Sequence, residues 1–306
     1  MKKLPRLLDG GIAGELARRE VAAGPAATLA ANLDAPKEVR KAHRVMLRAG
    51  CDVVRTNTSH LTPALVRSLG GGRGGIDRLT IKLATLAAQH ANHAIKREGA
   101  GRRALVAGVL PPLDTDEALG DAAFLRAYRL LADTLAPMTD VLLADRITSS
   151  RAAVSAVNAS ATTGAPIWIW WHCVASPGQD RVYLPSGEPL EHAAAKVAAS
   201  SPLAWIDAQV ACGAASATSV LPTLNACARQ LPTTALVGCA ATAVADGGEA
   251  VMRPDALADL VRPMLEGGCS IVGGGDDATT PAHVAAIQGV LAESTDRALA
   301  PEGRRE

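Results

Sequence analysis

Short runs of β-branched and other apolar residues alternate with helical segments almost from one end of this chain to the other. Eight such runs cover residues 4–8, 51–58, 104–110, 140–145, 166–171, 204–212, 234–239 and 269–274. Strands that alternate with helices form parallel sheets, because each helix returns the chain to the same end of the sheet. Eight repeats predict an α/β protein with a single (β/α)8 TIM barrel, and a doubly wound open sheet is the alternative.

The length and charge of the chain limit which domain organisations and which partners are possible. A chain of 306 residues is ordinary for one barrel, and no linker marks a second domain. We expect the barrel to span residues 1–295, followed by a polar C-terminal tail at 296–306. The formal net charge of +1 argues against a nucleic-acid partner. No segment approaches the ~18 apolar residues that span a bilayer, and we find no signal peptide. We therefore expect a cytoplasmic protein with a small-molecule substrate and no membrane partner, and the sequence specifies no oligomeric state.

The last β run leads into a turn that carries two carboxylates. Residues 271–287 read IVGGGDDATTPAHVAAI, with Asp276 and Asp277 between the glycines and the next helix. Thr280 and Pro281 fit the N-cap and the first position of that helix. In a barrel of this kind the turns after the strands form the catalytic face, so we expect both carboxylates there.

Polar and metal-ligating side chains also follow other predicted strands. They are Asp9, Thr56, Asn57, Thr58, Asp145, Arg146, His172, Cys173, Cys212 and Cys239. Solvated strand ends explain the threonines and the asparagine, but free cysteine prefers burial, so three thiols in such places indicate chemistry. The glycine-rich stretch at 70–75 lies between helices and does not follow a strand, so no nucleotide cofactor is predicted.

Three motifs resemble the homocysteine S-methyltransferase family. They are LLDGGIAGEL at 7–16, AGCDVVRTNTSH at 49–60 and GGDDATTPAHVAAI at 274–287. The order and spacing of these motifs agree with the family over nearly the whole chain. The resemblance implies a zinc-dependent (β/α)8 barrel that transfers a methyl group to a thiol. It also implies that Asp9 and Asp145 hold the amino group of a homocysteine-like substrate, and we place Asn57 and Thr58 in the same site.

The zinc ligands implied by the resemblance are altered in this chain. The first zinc cysteine of the family falls on Cys212, whereas its adjacent cysteine pair falls on Asp276 and Asp277. We assign these three residues as the candidate catalytic and metal-binding groups. Candidates to replace the missing sulfur ligands are Cys239, Cys173 and His172. Tetrahedral zinc accepts thiolate, imidazole and carboxylate, so a mixed set is chemically admissible, although it is a harder site than three thiolates.

Two functions fit this pattern. The first is methyl transfer from a cationic donor, of sulfonium or betaine type, to a homocysteine-like thiol. The second is a re-purposed or non-catalytic barrel that binds a small amino acid without zinc. Trp171, at the end of the fifth run, is the candidate to face the donor, because a cation over an indole gains roughly 0.5–2 kcal/mol. Trp168 and Trp170 point to the opposite face of that strand, and we expect them to fill the core.

Overall fold

We analysed a computed structural model of the chain. It describes residues 6–72, 75–98, 104–113, 120–175, 182–200, 217–229, 238–241 and 251–299. The predicted sixth strand, at 204–212, lies outside these ranges.

Parallel strands that alternate with helices make up the described part of the chain. The strands are β1 (Arg6–Leu8), β2 (Val53–Arg55), β3 (Leu105–Leu110), β4 (Val141–Ile147), β5 (Ile167–Trp171), β6 (Val174–Ala175), β7 (Val182–Tyr183), β8 (Gly238–Ala241) and β9 (Ile271–Gly274). All except β6 and β7 form one parallel sheet in the order β5-β4-β3-β2-β1-β9-β8. The first strand therefore has the second strand on one side and the last on the other. This order is that of a sheet that curls back on itself, and it confirms the predicted α/β class.

The helices follow the strands in the alternation that the sequence predicts. They are α1 (Ile12–Arg18), α2 (Gly24–Asp34), α3 (Pro36–Ala49), α4 (Pro63–Ser68), α5 (Ile76–Glu98), α6 (Asp121–Leu135), α7 (Ser150–Ala161), α8 (Leu190–Ser200), α9 (Ala217–Ala228), α10 (Pro254–Glu266) and α11 (Pro281–Leu299). The last helix runs past the predicted boundary at residue 295, because no glycine or proline interrupts it there. Among the described helices, none is long and apolar enough to cross a bilayer.

Local sequence explains where several helices begin and end. The Thr62 hydroxyl accepts a hydrogen bond from the N–H of Leu65, and the Ser149 hydroxyl accepts one from the N–H of Ala152. These are N-caps of α4 and α7, and each satisfies a backbone donor that the first helical turn leaves unpaired. Gly50 ends α3 in the left-handed conformation, with φ of 108°.

Two apolar layers lie on the two faces of the sheet. One layer consists only of strand residues, including Val53, Leu143, Trp168 and Trp170, and it fills the inside of the curl. The larger layer joins the outer face of the strands to the surrounding helices, and Trp171 belongs to it. The predicted alternation of the three tryptophans is confirmed, because successive side chains of a strand point to opposite faces.

The turn after β9 packs directly against the start of α1. A Cβ atom added to Gly14 would lie 1.6 Å from the backbone oxygen of Asp277, and one added to Gly11 would lie 1.9 Å from Oδ1 of Asp277. The Arg18 guanidinium donates hydrogen bonds to the carbonyl oxygens of Asp277 and Thr279, at 3.3 and 3.2 Å. The glycines of the first motif therefore let the first and last units of the fold come into contact.

The antiparallel hairpin of β6 and β7 is not predicted by the sequence. Its strands have two residues each and lie beyond the end of β5. Runs this short carry no detectable alternation of apolar and polar residues.

Candidate functional site

A pocket of about 340 Å³ opens at the carboxyl ends of the strands, between the ends of β2, β4 and β9. Its charged and titratable lining residues are Arg55, His60, Asp145, Arg146, Asp276 and Asp277. Each of them lies near the carboxyl end of a parallel strand or follows one, so the pocket opens at that end of the sheet.

Asp9 and Arg55 form a buried ion pair beneath this pocket. The Arg55 side chain donates from Nε to Asp9 Oδ1 at 2.8 Å, and the backbone N–H of Arg55 donates to Oδ2 at 3.0 Å. Burial raises the pKa of Asp9 to about 6, against the opposing effect of the Arg55 guanidinium. Arg55 thus occupies both carboxylate oxygens, and Asp9 does not line the pocket. That Asp9 holds a substrate amino group stays a prediction, and in this structure Arg55 occupies the place that such a group would take.

Asp145 is a buried residue at the pocket wall, and one of its carboxylate oxygens is available to accept a hydrogen bond from a ligand. Its side chain is almost fully buried, and Oδ1 has no hydrogen-bond partner among the described residues. Oδ2 lies 3.4 Å from Nε of Arg146. An unpaired buried acceptor costs free energy, which a ligand ammonium that donates to Oδ1 would recover. This geometry is what the predicted role of Asp145 requires.

Asn57 and Thr58 use their polar groups within the protein. The Asn57 amide donates to the carbonyl of Thr28 at 2.8 Å and to Oδ1 of Asn32 at 3.2 Å, both on α2. The Thr58 hydroxyl donates to the carbonyl of Val109 at 2.7 Å and is fully buried. Asn57 reaches the pocket wall, whereas Thr58 does not. The two residues hold the loop after β2 in place through their donors, and their predicted contact with substrate stays a prediction.

The two carboxylates after β9 face different surroundings. Asp276 Oδ1 accepts hydrogen bonds from the N–H and the hydroxyl of Thr279, both at 3.0 Å, which stabilises the turn before α11. Asp277 is exposed and lies against Gly11 at the start of α1. Both line the pocket, as predicted, but one is engaged in a turn and the other faces solvent.

The thiol candidates are not brought together in the described part of the chain. Cys173 is buried in the layer between the sheet and the helices, where its sulfur lies 4.0 Å from the carbonyl of Trp171. Its predicted role as a replacement ligand is wrong, because the side chain points away from the pocket. Cys212 lies outside the described residues, and for Cys239 the structure describes only the backbone, within β8.

Zinc does not fit the donor groups that the structure describes. Within the described ranges, no three His, Cys, Asp or Glu side chains are grouped closely enough to hold a metal ion. Asp276 is engaged with Thr279, and His172 is exposed at the edge of a neighbouring pocket. We therefore derive no chemical step through zinc.

Trp171 belongs to the core and not to the pocket. Its side chain is 1% exposed and packs between the sheet and the helices. The prediction that it faces a cationic donor is wrong, because alternation along β5 turns it to the outer face. Trp170, on the inner face, is already covered by a cation, since the Arg55 guanidinium lies 5.2 Å from its ring centre.

Arg146 and His60 line the pocket although the sequence analysis assigns neither to the site. Arg146 has a φ of 49°, in the left-handed region, and the pairing of β4 with β5 is irregular between Ala144 and Ile147. Burial lowers the pKa of His60, and the Arg146 guanidinium lowers it further, so its imidazole is neutral at pH 7. The available signal is the arginine directly after Asp145, where the family pattern E-T-I has threonine.

Comparisons with known proteins agree with the fold and with the motifs. The sequence matches the family described as homocysteine S-methyltransferase over residues 6–291. The metallated form of the homocysteine methyltransferase MmuM from Escherichia coli superimposes with a TM-score of 0.75 at 21% identity, over 94% of this chain and 96% of that one. A type I 3-dehydroquinate dehydratase from Clostridium difficile gives a TM-score of 0.56 at 8% identity, over 97% and 94% of the two chains. Comparison with curated protein sequences gives no match. The structural similarities support a TIM-barrel-like fold.

Proposed function

Because the chain belongs to the homocysteine S-methyltransferase family, we propose that it transfers a methyl group to the thiol of a homocysteine-like amino acid. The observation that carries this proposal is the open acceptor Oδ1 of Asp145, buried at the wall of the pocket. A buried carboxylate oxygen of this kind is suited to the ammonium group of an α-amino acid.

The proposal includes a complete barrel of eight parallel strands. The two outer strands of the sheet are β5 and β8, and the predicted run at 204–212 lies between them in the sequence. A strand there would pair with both and leave no open edge in the sheet.

The pocket gives the substrate one anchoring point and a direction. Asp9 is satisfied by Arg55, so the ammonium group pairs with Asp145 alone. An amino acid held at Asp145 can extend its side chain across the pocket toward the turn that carries Asp277. The thiol then lies beside carboxylates that attract a positively charged methyl donor.

The donor in this proposal is a cation of sulfonium or betaine type. The substrate sulfur forms a bond to the methyl carbon, and the bond from that carbon to the positive sulfur or nitrogen breaks. The bonding electron pair stays with the donor, which leaves uncharged at that atom, while the thiol proton is released. No step of this transfer runs through zinc, because the donor groups in the described part of the chain do not fit a zinc ion.

A second candidate function is amino-acid binding without catalysis. It is favoured by the turn after β9, because carboxylates replace the cysteine pair of the family and Asp276 is engaged with Thr279. Both functions use Asp145 in the same way. They differ in whether a methyl group reaches the thiol.

The experiment measures homocysteine binding, methyl transfer and zinc content in protein purified without chelator. Homocysteine is offered with S-methylmethionine or glycine betaine as the donor. We expect Asp145→Asn to weaken homocysteine binding by about 10- to 100-fold, since a charge-assisted hydrogen bond is worth about 1.5–3 kcal/mol. Asp255→Asn, in the exposed first turn of α10, serves as the matched control and should bind as the wild type does.

Each outcome decides between the candidates. Methyl transfer to homocysteine supports the first function, and tight binding without transfer from either donor supports the second. Homocysteine binding that is absent, or that is equal in the wild type and Asp145→Asn, would contradict both.

A further inference from the structure

A second pocket adjoins the first and shares part of its wall. Its volume is about 640 Å³, and it opens to solvent more widely than the first. Ser59, His60 and Arg146 line both pockets, so the two form neighbouring compartments of one larger cleft.

The two pockets differ in the charge of their walls. Asp145, Asp276 and Asp277 line the first pocket. The second has no carboxylate among its described lining residues, and its titratable groups are Arg146, His60 and His172. Hydroxyl groups of Thr62, Thr148, Ser59 and Ser68 lie along the same wall, and Pro25, Leu65 and Pro112 supply apolar surface. Acidic and basic compartments thus lie side by side.

The backbone at Arg146 places its guanidinium between these compartments. Arginine rarely adopts a positive φ, and its φ of 49° coincides with the irregular pairing of β4 with β5. Strained conformations of this kind concentrate at ligand sites. The Arg146 side chain is 40% exposed, and its Nε lies 3.4 Å from Oδ2 of Asp145. A guanidinium has five N–H donors, so the side chain can also serve a ligand in the second pocket.

We propose that the second pocket binds the carboxylate or phosphate group of a second small molecule, with Arg146 as the principal contact and His172 and His60 as further hydrogen-bond donors. A guanidinium matches both anions through paired N–H bonds. The apolar wall accommodates the carbon skeleton that carries the anion.

The identity of that second molecule follows from the proposed function. If the first pocket holds the methyl acceptor, the second pocket holds the donor, which then carries an anionic group as well as its positive methyl-bearing atom. This assignment rests on the proposed function, whereas the anion site itself does not.

The test titrates the full chain with sodium acetate and, separately, with inorganic phosphate at constant ionic strength. Binding is followed by the NMR signals of the histidine imidazoles, with the His172 signal assigned from His172→Gln. We expect saturable shifts of the His172 and His60 signals. Arg146→Gln keeps a long polar side chain and should raise the dissociation constant at least about 10-fold. Arg126→Gln, on the exposed face of α6, is the matched control and should bind the anion as the wild type does.

The two anions distinguish the source of the charge. Tighter binding of acetate assigns a carboxylate to the ligand, and tighter binding of phosphate assigns a phosphate, and either result supports the site. Saturable shifts that are absent with both anions, or that are unchanged in Arg146→Gln, overturn it.

Separate measurements keep this proposal apart from the proposed function. Anion binding is measured without homocysteine, and homocysteine binding is measured without acetate or phosphate. If the protein binds homocysteine but neither anion, only the anion site is overturned. If it binds an anion but not homocysteine, only the assignment of the first pocket to an amino acid is overturned.

Discussion

His43 makes the stability of this fold depend on pH in a way that can be measured directly. It lies on α3 with no exposed surface, and neither ring nitrogen has a hydrogen-bond partner among the described residues. Burial, with a smaller contribution from the nearby His90, lowers its pKa to about 3. In the unfolded chain a histidine has a pKa of about 6.5. Below that pH the unfolded state binds a proton that the folded state does not bind. The free energy of unfolding therefore falls as the pH falls.

The size of the effect follows from these two pKa values. One pKa unit corresponds to about 1.36 kcal/mol, so the 1.5 units between pH 6.5 and pH 5 cost about 2 kcal/mol. His43→Leu removes the titrating group and puts an apolar side chain of similar size in its place. Urea unfolding at pH 7 and at pH 5 should show a loss of stability about 2 kcal/mol smaller in His43→Leu than in the wild type. At pH 7 the variant should be at least about 1 kcal/mol more stable, because two unpaired buried nitrogens are removed.

The matched control is Met46→Leu, on the same helix. Met46 is fully buried and carries no titratable group, so its substitution should leave the difference between pH 7 and pH 5 as it is in the wild type. If His43→Leu and the wild type lose the same free energy on acidification, the assignment of this pH dependence to His43 is refuted.

Three further predictions concern the ion pair, the core and the contact between the ends of the fold. Asp9→Asn removes the hydrogen-bonded counter-charge of the buried Arg55 guanidinium and should cost about 3–5 kcal/mol in urea unfolding; a loss under 1 kcal/mol would contradict the pairing. Trp171→Ala should lower the free energy of unfolding by about 3–5 kcal/mol, as for a core tryptophan, and unchanged stability would contradict its place in the core. Gly14→Ala introduces a Cβ 1.6 Å from the carbonyl oxygen of Asp277 and should cost at least about 3 kcal/mol by calorimetry, whereas Ala13→Ser, one position earlier, should be tolerated.

The sequence predicts the parallel strands well because their signal is local. The predicted runs at 104–110, 166–171 and 269–274 correspond to strands Leu105–Leu110, Ile167–Trp171 and Ile271–Gly274, each buried and bounded by breaks in the apolar pattern. Predicted strand ends also locate the pocket, which opens beside Asp145 in β4 and beside Asp276 after β9. What depends only on the order of neighbouring residues is therefore predictable.

The roles of individual site residues depend on partners that are distant in the sequence. Asp9 has the expected position, but its partner Arg55 is 46 residues away, and no local pattern connects the two. A signal was present, since an arginine inside a buried strand requires a counter-charge. Asn57 and Thr58 likewise bond to α2 and to β3, which sequence spacing does not reveal. The conformation of Arg146 depends on the irregular pairing of two strands.

The position of the first strand has a consequence for synthesis on the ribosome. Leu7 pairs with Val272, so one edge of β1 has no partner until synthesis has passed β9. Until then that edge presents unpaired N–H and C=O groups beside apolar side chains, a combination that promotes aggregation. Incomplete products that end before residue 271 carry this open edge permanently. Translation that pauses or terminates before β9 is complete is therefore more hazardous for this protein than an error in the exposed loops.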